Sequence, residues 1–192
     1  MIAIRRARPS DAGAIGAVHA EVWRNTYAGV LPSQYLSGLS PFRLGLGYER
    51  GILDRREGHA VFVAVASGSD LPPGPMGEEA RVVGFVSGGR ARRNAIAAGE
   101  VETIYLLEDW RDRAVGRRLM RAMGAHLRAV GCGSAMVWVL KDNPSRWFYE
   151  RLGGRSAARE MTRFAGQNVE QMAYAWDPIE ALLTATAPAP ER

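Results

Sequence analysis

The chain has 192 residues, 47% of them hydrophobic and 23% charged, which fits a globular domain with a substantial core. Its formal charge of +5 comes almost wholly from arginine, since Lys141 is the only lysine. The arginines are spread along the chain, which argues against nucleic-acid binding and suits a small anionic ligand.

No apolar run approaches the roughly 18 residues of a membrane span, and Met1-Ile-Ala-Ile-Arg5 does not read as a signal peptide. Cys132 is alone, which leaves no disulfide framework, and His19, His59 and His126 lack metal-ligand spacing. The expectation is a reducing, cytoplasmic setting with no membrane and no metal.

Ile2 to Arg6 alternates and predicts a first strand, after which Pro9-Ser-Asp11 opens a helix with Ile15, Val18 and Val22 on one stripe. A short helix begins at Leu31-Pro-Ser-Gln-Tyr35, and another spans Phe42 to Leu53. Ala60 to Ala66 is an unbroken apolar run, short enough for a strand covered on both faces. Ser67 to Ala80, with Pro72-Pro73-Gly74-Pro75, predicts a flexible hairpin loop leading into a strand at Arg81 to Ser87.

Val101 to Leu107 is the next strand. The helix after it carries Val115, Leu119, Met123, Leu127 and Val130 on one stripe and ends at Gly131-Cys-Gly133. Ala135 to Leu140 predicts a strand and Pro144 to Leu152 a helix stopped by Gly153-Gly154, with β-rich segments at 159–165 and 169–176 closing the fold. Residues 1–178 thus read as one domain, and 179–192, rich in Ala and Pro beyond Thr184, as a partly disordered tail. The class is α/β, a mixed sheet with helices on both faces.

The strand through Ile104 runs into a turn crowded with arginine and then into a helix. That order leaves backbone N–H groups free at a helix N-terminus, where a phosphate can sit. Residues Arg113 to Arg117 offer the donors, and Arg111, Arg113 and Arg117 add countercharge; the plainer alternative is a turn with a solvated basic face.

Two motifs favour the ligand. Arg111-Asp-Arg-Ala-Val-Gly116 is similar to the Arg/Gln-x-x-Gly-x-Gly/Ala motif of the GNAT superfamily of N-acetyltransferases, and Asn143 with Phe148-Tyr-Glu-Arg-Leu-Gly153 to its second signature. Trp23-Arg-Asn-Thr-Tyr-Ala-Gly-Val-Leu-Pro32 resembles a helix-loop-helix of many members, so the likeness runs from Ile2 to about Trp176. It implies a strongly twisted GNAT-like sheet and acetyl-CoA as acyl donor. The pyrophosphate would be held by Arg111, Asp112, Arg113, Ala114, Val115, Gly116 and Arg117. The strand at Ile104 and Leu106 would pair with the pantetheine arm and polarise the acetyl carbonyl, and Asn143 would also touch the cofactor.

Some positions depart from the pattern: Ala114 replaces the first glycine, Asp112 stands where glycine is common, and Glu108 replaces a proline. They motivate an alternative, an inactive acyl-CoA-binding regulatory domain.

Acetyl transfer to an amine needs the amine deprotonated, the carbonyl polarised and the thiolate released. The resemblance makes Tyr149 the candidate acid for the departing sulfur, against a reading in which it only packs. Glu100 and Glu102, two apart on one strand face, are candidate bases, with Glu102 slightly preferred and His19 in reserve. Trp23 and Tyr27 either wall the acceptor pocket or pack in the core, while Trp147 and Cys132 read as packing residues. The acceptor, a small-molecule or protein/peptide amine, is left open among polyamines, aminoglycoside-like compounds, amino acids and protein N-termini; many relatives are homodimers.

Overall fold

A computed structural model describes residues 1–54, 58–68, 80–92 and 95–188. Most of the expected loop at 67–80 and the last residues of the expected tail, 189–192, lie outside the described residues.

The chain begins with β1 (Ile2–Arg6), a 3-10 turn at Pro9–Asp11, and the helices α1 (Ala12–Thr26), α2 (Ser33–Ser37) and α3 (Pro41–Asp54). Arg5 grips the Asp11 carboxylate through both terminal nitrogens at 2.7 and 2.9 Å, and the Arg8 N–H donates to the same group, so α1 is anchored where the sequence signals its start. There follow β2 (Ala60–Ser67), β3 (Ala80–Arg90), β4 (Gly99–Leu106), α4 (Val115–Ala129), β5 (Ala135–Leu140), α5 (Arg146–Arg151), β6 (Arg155–Phe164), β7 (Gln167–Trp176) and α6 (Glu180–Ala185).

The strands form one sheet in the order β1-β2-β3-β4-β5-β7-β6. Only β4 and β5 run parallel; every other neighbouring pair is antiparallel. β3 is buried without a break from Val82 to Gly89, because both its faces are covered. Phe85 meets His19 of α1 and Tyr48 of α3 on one face, and Gly88 sits under Met123 of α4 on the other. The α4 stripe of Val115, Leu119, Met123 and Leu127 is buried as its spacing predicts.

Two features position the site. β4 pairs with β5 only at Gly99–Val101 against Ala135–Val137, and the strands then part. Opposite β3, Val101 faces Gly88 and Thr103 faces Ser87, so Glu102 is the extra residue of a β-bulge. Gly88 permits it, since a Cβ there would stand 2.4 Å from the Glu100 carbonyl oxygen.

The expected tail begins with structure instead. Glu180–Ala185 is helical, with Ile179 and Leu182 buried, and Leu182 and Leu183 reach α4 and press on Gly124. Arg117 and Arg121 of α4 donate to the carbonyls of Ala187 and Leu183, fixing the segment. Trp147, expected to pack, is 54% exposed with the Arg146 guanidinium 4.6 Å over its ring. Cys132 is a buried free thiol.

Candidate active site

Where β4 and β5 separate, a cleft of about 920 Å³ opens between them. One end is built by the turn before α4. Asp112 and Ala114 both adopt left-handed backbone (φ 59° and 57°), the conformation that turns successive N–H groups toward one point. Among the described residues no backbone acceptor pairs with the N–H groups of residues 112–117; the first helical bond runs from Arg118 to the Ala114 carbonyl, at 3.1 Å. Together with the helix dipole, this is a place for an anion. Arg111, Asp112, Ala114, Val115, Gly116 and Arg117 line the cleft. Arg113 does not; its guanidinium lies 5.0 Å over the Trp110 ring.

The floor is the free edge of β4. Leu107 N–H turns to the Val83 carbonyl of β3, at 2.9 Å, so strand alternation turns the N–H and C=O groups of Ile104 and Leu106 into the gap.

α5 closes the same end, and its sequence explains how. A Cβ on Gly116 would lie 3.3 Å from Phe148 Cζ, so the Phe148 ring of α5 packs its tip against the backbone at the start of α4. Glu150 accepts from the Tyr174 hydroxyl (2.7 Å), and the Leu152 carbonyl from the Trp176 indole (2.8 Å), docking α5 on β7. Between these anchors Tyr149 is held with its ring stacked on Tyr174 (centroids 5.9 Å) and lines the cleft. Its hydroxyl bonds to no other described residue. Burial, with Tyr27 nearby, pushes the phenol well above its ordinary range.

Asn143 lines the cleft but is engaged: its Nδ2 donates to the Tyr27 hydroxyl (2.9 Å), and its Oδ1 accepts from Ser145 N–H (2.8 Å). It ties α1 to the loop before α5.

The other end is aromatic. Trp23 lies 5.0 Å from Tyr27 and 5.2 Å from Phe164, and Phe164 lies 5.4 Å from Tyr35 (ring centroids). The Trp23 indole N–H is buried there facing the Tyr105 side chain, and the Thr26 hydroxyl is buried without a hydrogen-bond partner among the described residues. Glu102 enters the cleft from its bulge, with His59 Nε2 at 3.3 Å and the Arg92 guanidinium at 3.6 Å. Both His59 nitrogens face acceptors, Glu102 and the Gly51 carbonyl (3.3 Å), which only the imidazolium satisfies. The Glu102 contact accordingly raises the His59 pKa and holds the Glu102 carboxyl below its usual range.

Glu100 approaches Arg92 (4.0 Å) but does not line the cleft. His19 also stays outside it, hydrogen-bonded to the Tyr48 hydroxyl at 2.9 Å, and burial pushes its imidazole down to about 4.

Sequence reasoning missed Arg92, His59 and Phe164. His59 lies 43 positions from its partner Glu102, and only sheet register brings the two together. Among the described residues no cluster of three or more His, Cys, Asp or Glu could hold a metal, and no helix is long and apolar enough to cross a membrane.

A model of the FR47-like protein family matches residues 83–164, the span from β3 through β6. The chain is 30% identical over 185 residues to the uncharacterized N-acetyltransferase YuaI of Bacillus subtilis, covering 96% of this chain and 98% of that one. Among solved structures, an N-acetyltransferase from Staphylococcus aureus aligns with a TM-score of 0.67 at 17% identity, over 92% of this chain and 98% of that one. The PaiA N-acetyltransferase of Thermoplasma acidophilum, in complex with coenzyme A, aligns with a TM-score of 0.63 at 16% identity, over 90% and 98%.

Proposed function

The chain belongs to the GNAT superfamily of N-acetyltransferases, and from that premise we propose that its cleft carries an acetyl group from acetyl-CoA directly to a primary amine. The observation that carries the reading is the parting of β4 from β5. It exposes the backbone edge at Ile104 and Leu106 beside the free N–H groups of residues 112–117. An extended chain ending in a pyrophosphate matches that pair of features, strand pairing for the arm and converging donors for the phosphates.

Acetyl-CoA, when bound, supplies an acyl group already activated as a thioester. The N–H groups of 112–117, with Arg111 and Arg117, hold the pyrophosphate, and the N–H of Leu106 polarises the carbonyl. Glu102 draws the substrate ammonium and orients a water that carries its proton to solvent, because a carboxyl held below its usual range stays anionic but is a weak base. Tyr149 donates its hydroxyl proton toward the leaving sulfur. Its raised pKa keeps the phenol protonated, and since a thiol titrates at about 8.5, the hydroxyl acts by hydrogen bonding more than by full transfer. No enzyme nucleophile enters; Cys132 is buried away from the cleft. A free buried thiol suits a reducing cytoplasm, where we place the protein.

The test is calorimetry with acetyl-CoA followed by free-thiol release over an amine panel. Saturable binding and turnover are expected, with Tyr149→Phe lowering kcat about tenfold while the acetyl-CoA KM stays put. Binding without turnover of any amine would favour the regulatory alternative. No binding by the folded protein would sink the proposal.

A further inference from the structure

We propose that the acceptor is a monoamine on an aromatic body, its ring seated against Trp23 and Phe164 and its ammonium directed to Glu102. This rests on the acetyl-transfer reading above and narrows it to a substrate class.

The first ground is the wall. Trp23, Tyr27 and Phe164 line the cleft and belong to a small apolar cluster separate from the main core. Phe164 is delivered by the tight β6–β7 hairpin, whose two turn residues, Ala165 and Gly166, both have positive φ (50° and 81°), the geometry of a two-residue turn matched to strand twist. A planar ring gains from such a wall both the burial of its faces and the edge and stacking contacts of aromatic pairs.

The second ground is charge. Glu102 is the one carboxylate lining this end of the cleft among the described residues, and it is already shared by His59 and Arg92. Glu100 sits outside the cleft beside the same arginine. Within the cleft the further acid is Asp112, in the turn before α4, and Asp54 lines an adjoining hollow beyond Glu102 and Arg92. A polyamine or aminoglycoside would therefore bring its second and third ammonium groups to an aromatic wall without a carboxylate of its own, on a chain of net charge +5.

A single ammonium is different. The Arg92 side chain is 74% exposed, so its 3.6 Å pair with Glu102 is weak and can yield to the substrate. His59, with its side chain 20% exposed and its other nitrogen on Gly51, stays and keeps Glu102 aimed from the bulge. The site thus exchanges one solvent-facing cation for one substrate cation.

The experiment titrates the coenzyme A-saturated protein with 2-phenylethylamine, spermidine and kanamycin by calorimetry, and measures kcat/KM for each by thiol release. Expected are binding of 2-phenylethylamine and a kcat/KM at least about tenfold above the other two. Phe164→Leu and Trp23→Leu are each expected to raise its KM about tenfold while the acetyl-CoA Kd is unchanged; the exposed hairpin makes the Phe164 variant the safer folder. Preference for spermidine or kanamycin, or a 2-phenylethylamine KM indifferent to both variants, overturns the proposal. Acetyl-CoA titrated alone separates the two readings: if it fails to bind, both fall, and if it binds while the aromatic amine does not, only this one does.

Discussion

Ala114 sits at φ 57°, ψ 8°, a left-handed conformation that an L-residue with a Cβ adopts at a cost of roughly 1–2 kcal/mol. Asp112, at φ 59°, is the milder case, since Asp tolerates that region better. The chain therefore keeps the backbone shape that glycine would give and carries the strain of not having it. Ala114→Gly removes the strain but adds freedom to the unfolded chain worth about 0.5–1 kcal/mol. The expected net is a gain of up to about 1 kcal/mol in chemical denaturation, with acetyl-CoA bound at least as tightly because the methyl no longer stands at the turn. A loss of stability would mean that the methyl makes contacts outweighing the strain. The position was readable from sequence as a departure; its sign was not, because φ depends on the fold around it.

At the scale of elements, the site depends on how closely helices approach. α1 carries Trp23 and ends at its C-cap Tyr27, and it crosses α3 at Gly16 and Gly45. A Cβ on Gly16 would stand 2.2 Å from the Pro41 carbonyl oxygen and 2.6 Å from Gly45 N, both backbone atoms with nowhere to go. Gly16→Ala is expected to cost about 3 kcal/mol and to raise the amine KM, while a protein that still folds keeps its acetyl-CoA Kd. Gly47→Ala on α3, with open space around it, is expected to stabilise by up to about 1 kcal/mol. Equal effects of the two in a denaturation series would refute the close-crossing argument. Every strand and helix predicted from periodicity is present, because those signals are local: the α4 stripe, the apolar run of β2, the Gly153-Gly154 stop. The Glu102 bulge, the His59–Glu102 pair and α6 were not legible. The first two arise from register between distant strands, and α6 is a six-residue helix whose apolar contacts, not its Ala-rich composition, hold it.

For the whole molecule, two histidines pull stability in opposite directions with pH. Folded His19 titrates at about 4, below the 6.5 of an unfolded histidine, so between those values the unfolded chain takes up a proton that the fold refuses. Stability therefore falls as pH drops through that window, by about 3 kcal/mol at pH 4 from this residue alone. His59 is raised by Glu102, so its contribution is fully present below 6.5 and is lost as pH rises through its folded value. Glu102 is lowered, and its contribution is present above 4.5 and is lost as pH falls through its own folded value. The His59–Glu102 pair is thus at full strength between about 4.5 and 6.5, inside the window where His19 erodes the fold. Urea midpoints at pH 5 and 7.5 read this directly. His19→Gln, which can still meet the Tyr48 hydroxyl, is expected to remove most of the acid-side loss. His59→Gln is expected to steepen it, because the compensating proton uptake is gone. If both variants shift the two midpoints equally, neither histidine sets the pH dependence, and the imidazolium holding Glu102 in the cleft is not there.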